Sequence, residues 1–123
     1  MWIFNEDGFF STVVDKDDPR FLAVRSRDAS SLANFNEAIG GEPGDDGIVE
    51  TRDRDYPYRV WVPKAVWVGY MADKAETLDY VDYKSHMTER FRHGLFNLKQ
   101  LKTLADIWTI MSDHWEVRGQ DDR

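Results

Sequence analysis

His86, Glu89 and His93 fall at i, i+3 and i+7, so a single helix would carry all three on one face. Two imidazoles and a carboxylate are ligand types for zinc or non-haem iron. Arg90 and Arg92 bracket them with positive charge, and Gly94 weakens the last turn. Positions seven apart also stand roughly 10 Å apart along a helix axis, long for one ion. These features favour a solvated amphipathic face, with no metal site and no cofactor expected.

Other candidates for chemistry fail on pattern. Asp15-Lys16-Asp17-Asp18-Pro19 resembles the start of a calcium loop, but Arg20 and Ser26 stand where that loop needs its Gly and its Glu. A solvated turn fits better. Gly40, Gly41 and Gly44 lie among acids that would repel phosphate. There is no Gly-x-Ser-x-Gly, and the Ser, His and Asp residues have no informative spacing. No cysteine is present, which removes thiolate nucleophiles, disulfides and cysteine-ligated metals. No catalytic residue can be named, and nothing here argues for an enzyme.

The most distinctive segment runs from Tyr56 to Trp67. It gathers Tyr56, Tyr58, Trp61 and Trp67 around Arg59 and Lys64. Tyr, Trp and Arg are the types enriched at binding hot spots. Alternation along a strand sets Tyr58, Val60 and Val62 on one face and Arg59 and Trp61 on the other. If the apolar set meets the helices, a Trp and an Arg remain outside, with Tyr56 at the adjoining turn. The expected binding residues are therefore Tyr56, Arg59 and Trp61. The competing outcome is that C-terminal helices wrap round and bury Trp61. An exposed aromatic sheet face could also stack single-stranded bases, but the acidic segment beside it disfavours nucleic acid.

Several elements must position this segment. Trp2–Phe4, Phe9–Val14 and Phe21–Arg25 are rich in β-branched and aromatic residues, and turn residues separate them. They predict a three-stranded meander. Asp28 precedes a stretch with Leu32, Phe35 and Ile39 at helical spacing, and Gly40-Gly41 ends it. Residues 48–53 and 58–62 predict a second hairpin turning at Arg54–Pro57. Pro63 then opens a helix running to about Thr77. A short helix over 83–92 follows. A longer one carries Leu98, Leu101, Leu104, Ala105, Trp108, Met111 and Trp115 at three-four spacing. The expected core is Phe10, Val13, Leu22, Val24, Leu32, Phe35, Val60, Val66, Leu104, Trp108 and Met111. The order predicts an α+β fold, an antiparallel sheet of about five strands with helices mainly on one face, for which a ferredoxin-like topology is a candidate. One domain over 1–117 and a polar tail over 118–123 are expected.

The 123 residues carry a net charge of -7. The acid excess sits in the first third, which argues against a general duplex-DNA binder. It suits solubility, a basic protein partner, or imitation of a phosphate backbone by the acids of 6–18 and 42–46. Residues 58–72 lean apolar, but Arg59, Pro63 and Lys64 interrupt them, so no membrane span is expected. The first residues lack a signal-peptide pattern. A cytoplasmic location in a bacterial host cell is the expectation.

Met1-Trp2-Ile3-Phe4 with Gly8-Phe9-Phe10-Ser11, Asp55 to Lys64 with Trp67, Asp82-Tyr83-Lys84-Ser85, and Asp106 to Met111 form a combined pattern over most of the chain. In it the chain resembles a family of small uncharacterised proteins encoded by bacteria and their phages. The resemblance implies a bacterial or phage origin and no particular activity. The expected function is a non-enzymatic protein-interaction module acting on a host or phage protein of unknown identity, with a homo-oligomer as a further option. The alternative is an enzyme or metal-dependent nuclease of unrecognised type.

Overall fold

The computed structural model describes residues 1–42, 44 and 46–115. The elements are β1 (Trp2–Asn5), β2 (Gly8–Val14), β3 (Phe21–Ser26), α1 (Ala29–Ala38), β4 (Val49–Glu50), β5 (Tyr58–Pro63), α2 (Lys64–Glu76), α3 (Tyr83–Arg92) and α4 (Leu98–His114). All strand pairs are antiparallel, and the five strands lie in the order β1-β2-β3-β5-β4. The fold is α+β, as the pattern predicts. The chain packs as two compact units that part after Leu78. The end of the domain at 117 and the tail over 118–123 lie outside the described residues.

The first unit holds the sheet with α1 and α2. β1, β2 and β3 form the expected meander. The chain then crosses through α1 to the sheet edge at β4, and β5 returns between β4 and β3. This is one split β-α-β unit, the motif on which ferredoxin-like folds are built; the meander takes the place of a second. The strand expected over 48–53 shrinks to Val49–Glu50. The Thr51 amide still donates to the Pro57 carbonyl at 2.6 Å, but Pro57 has no N–H to return the bond and the Arg54 amide turns back to the Thr51 carbonyl at 3.3 Å, so the ladder ends there.

Alternation sends Phe10, Leu22, Val24, Val60 and Val62 inward, where they meet Leu32 and Phe35 of α1 and Trp67 and Tyr70 of α2 in one buried cluster. Phe10, Phe35, Trp67 and Tyr70 pack as tilted and edge-on rings with centroids 4.7 to 6.3 Å apart, the arrangement that ring quadrupoles favour. Asp28 caps α1, accepting from the Ser31 amide at 2.7 Å. Gly8 lets β2 approach α1: it sits at φ +139°, and a Cβ there would collide with the Ser31 hydroxyl.

Three burial expectations in this unit change. Val13 is exposed, because Phe10 and Thr12 take the inward positions of β2 and Val13 has the opposite parity. Val66 is only half-buried, packed on the rim of the cluster. Ile39, expected on the buried face of α1, is the C-cap residue beyond the last turn and is exposed.

The second unit pairs α3 with α4. Asp82 caps α3, and Asn97 with Gln100 forms a reciprocal capping box on α4. Met87 and Phe96 are buried, but no residue of α4 is. Leu104 is half-buried, Met111 is exposed, and Trp108 is 56% exposed with the Lys84 ammonium 4.1 Å above its ring. The three-four stripe marks a face without saying what covers it. Ten residues of α3 span about 15 Å and cannot cover a helix of 17 residues, about 25 Å long. No helix among the described residues is long and apolar enough to cross a membrane.

Two tryptophan truncations therefore separate. Trp67→Ala should cost about 3–5 kcal/mol, the range for deleting a buried large aromatic. Trp108→Ala should cost about 1 kcal/mol or less, as for a surface residue with one cation–π contact. Urea denaturation followed by circular dichroism measures both.

Candidate functional site

The sheet face away from α1 and α2 carries the residues of outward parity. Register aligns them in rows across the strands. Trp2, Ser11, Arg25, Arg59 and Val49 form one row through all five strands. Val13, Ala23 and Trp61 form a second row beside it. Phe4 and Phe9 pair in a third, their rings stacked at 4.5 Å, with Trp2 edge-on to Phe9.

Arg25 and Arg59 thus stand directly opposite each other on paired strands, a placement in which like charges destabilise a sheet. Their donors go to neutral groups. Arg25 donates to the Ser11 carbonyl at 3.2 Å and to its hydroxyl at 2.7 Å. Arg59 donates through Nε to the Tyr56 carbonyl at 3.2 Å. Among the described residues neither these two nor Arg27 and Arg54 form an ion pair. Burial, and then the charges of Arg54 and Arg25, hold the Arg59 guanidinium below its ordinary basicity.

These side chains border a groove of about 400 Å³. Val13, Ala23 and Trp61 supply apolar lining, and Arg25, Arg54 and Arg59 the cationic lining. Asp15, Lys16 and Asp17 of the β2–β3 turn also line it. Trp61 is 42% exposed, and its indole N–H donates to Asp15 Oδ1 at 3.1 Å. The other Asp15 oxygen accepts from the Asp18 amide at 3.1 Å, so the turn fixes the carboxylate that fixes the indole. Among the described residues no aromatic ring or cation stacks on Trp61.

No protein-family model, curated protein or solved structure matches the chain. The site therefore rests on its own geometry.

Arg59 and Trp61 line the same groove. Tyr56 has a different place: its ring is half-buried beside Phe9, under the guanidinium carbons of Arg25 at 4.8 Å and Arg27 at 5.0 Å. It clamps the arginines from below. Sequence reasoning did not reach Arg25, Arg54 and Asp15. Alternation of Leu22 and Val24 marked Arg25 as outward facing, but the register setting it against Arg59 needs the fold.

The histidine group falls apart. His86 stacks on Tyr80 at 4.2 Å, Glu89 pairs with Arg92 at 3.0 Å, and His93 is the C-cap of α3. Among the described residues no three His, Asp or Glu side chains are placed to hold a metal ion. Many N-terminal acids have structural partners. Asp18 pairs with Arg20 at 2.8 Å, Asp28 caps α1, and Asp15 orders its turn.

A second polar cluster joins the β1–β2 turn to α2. The Tyr70 hydroxyl donates to Asp7 Oδ2 at 2.6 Å and accepts from Asn5 Nδ2 at 2.9 Å. Lys74 pairs with the same Asp7 oxygen at 2.9 Å and with Glu6 at 3.2 Å. Burial, reinforced by Asp7, raises the Tyr70 phenol far above its ordinary range. Burial alone would depress Lys74, but Asp7 and Glu6 outweigh it and hold the ammonium above its ordinary value. Both groups keep their protons at neutral pH and direct them at Asp7, so the cluster latches the β1–β2 turn to α2.

Two outcomes follow for stability. Both folded-state pKa values exceed the reference values of 10.0 and 10.5, so in alkali the unfolded chain releases protons first. Stability should be level through neutral pH and fall above about pH 10, and Tyr70→Phe should make that fall shallower; urea midpoints across pH 7 to 11 measure it. On the outer face, Arg59→Gln removes a like-charge contact and should leave stability within about 0.5 kcal/mol or raise it. The same urea titration reads this at low salt.

Proposed function

We propose that this chain is a non-enzymatic binding module that engages a protein partner through the outer face of its sheet, at Arg59 and Trp61 with Tyr56 behind them. Trp61 carries this reading. Asp15 holds its ring in place, the ring is 42% exposed, and Arg25, Arg54 and Arg59, none of them in an ion pair among the described residues, line the same groove. A fixed aromatic surface costs little side-chain entropy on binding, and Arg supplies a rigid fork of donors. Asp28, Asp18 and Asp7, by contrast, are engaged in a helix cap, a turn and the latch to α2. The bacterial or phage setting of the partner rests on the sequence resemblance alone.

Arg59→Ala and Trp61→Ala variants test this. Each should keep the wild-type circular dichroism spectrum, because neither side chain belongs to the core cluster. A partner captured from bacterial lysate by the wild-type chain should be lost by both variants. Retention by both would move the interface elsewhere on the molecule.

A further inference from the structure

Building on that binding surface, we propose that the groove receives one oxyanion of an extended peptide segment, a carboxylate or phosphoryl group held by Arg25, Arg54 and Arg59. An apolar side chain of the same segment lies on Trp61.

The charge in the groove points to an anion. Three guanidinium groups converge there without a carboxylate among their partners, and two of them oppose each other across paired strands. Their hydrogen bonds to Ser11 and to the Tyr56 carbonyl are to neutral groups and leave the two charges uncompensated; an anion between them converts mutual repulsion into charge-assisted hydrogen bonds. Arg54 extends from the β4–β5 turn, where it is exposed and lines the groove.

The size of the charge points to a peptide. Four cations and two carboxylates line the groove, an excess of two positive charges. That matches one phosphoryl group or one or two carboxylates. A nucleic-acid strand would place further phosphates beside Asp15 and Asp17, on a chain of net charge -7.

The spacing sets the motif. Arg59 and Trp61 are two residues apart on one strand, so they stand roughly 6.5–7 Å apart. An extended segment presents alternate side chains on one face at the same interval. The complementary pattern is an acidic or phosphorylated residue, any residue, then Leu or Phe. The Trp61 N–H is already committed to Asp15, so the ring offers the ligand its apolar face.

The test uses the full chain and four probes: a blocked peptide containing Glu-Thr-Leu, the same peptide with Gln for Glu, the same peptide with phosphoserine for Glu, and a short oligothymidylate. Nitrogen–proton NMR follows the Trp61 indole and the arginine Nε–H signals. The Glu or the phosphoserine peptide should shift these signals, and the Gln peptide should bind at least tenfold more weakly. Whichever acidic peptide binds more tightly identifies the anion. Arg59→Gln should weaken that binding at least tenfold with the remaining spectrum unchanged. Equal binding of the Glu, phosphoserine and Gln peptides, or tighter binding of the oligothymidylate, overturns the proposal. If no peptide binds while Arg59→Ala and Trp61→Ala still release the lysate partner, the oxyanion assignment is wrong and the interface stands. If no peptide binds and both variants keep the partner, both readings fall.

Discussion

The pairing of β3 with β5 is the constraint on which the rest of this structure depends. Six residue pairs set its register, from Phe21 against Pro63 to Ser26 against Tyr58. A strand has two faces and a period of two, so committing Leu22, Val24, Val60 and Val62 to the core decides every neighbour. Arg25 and Arg59 must then meet on the other face, and Trp61 must lie over Ala23. The core and the candidate site are two consequences of one register. A slip by one residue would bury the arginines and expose the valines.

The two faces treat polar groups in opposite ways. Toward the helices, the Asp7, Tyr70 and Lys74 cluster closes on itself, and charge is neutralised where water is scarce. On the outer face the guanidinium groups are braced by a hydroxyl, two carbonyls and a Tyr ring, with no carboxylate among them. Bracing fixes their direction while leaving their charge in place. Natural sequences tend to break local pairing rules where function demands it, and the Arg25–Arg59 pair breaks one.

Much of the fold was legible because hydrophobic period and turn chemistry agree along the first 78 residues. Leu22, Val24, Val60, Leu32 and Phe35 announce themselves by spacing, and Asp28 by its place before a helix. Trp61 was legible as outward facing for the same reason. Val13 was misread because a Val-rich strand was treated as apolar on both faces when its parity to Phe10 excluded that. Trp108 and Met111 were misread because helical spacing shows that a face is apolar and not that a neighbour covers it. Arg54 and Arg25 join the site only through a turn conformation and a strand pairing distant in sequence, which no local pattern encodes.

The same central pairing has a consequence for the order of folding. β1, β2 and β3 meet through short turns, and α3 and α4 are neighbours in sequence, so both groups can form from local contacts. β5 must find β3 across all of α1 and β4. The loop entropy of that closure is spent before the contacts that reward it exist. Of the strand pairings in residues 1–78, the β3–β5 ladder therefore carries the largest loop-closure cost. Without β5, β3 would be an edge strand carrying Leu22 and Val24, so the ladder that places the site also closes a template for pairing with another chain.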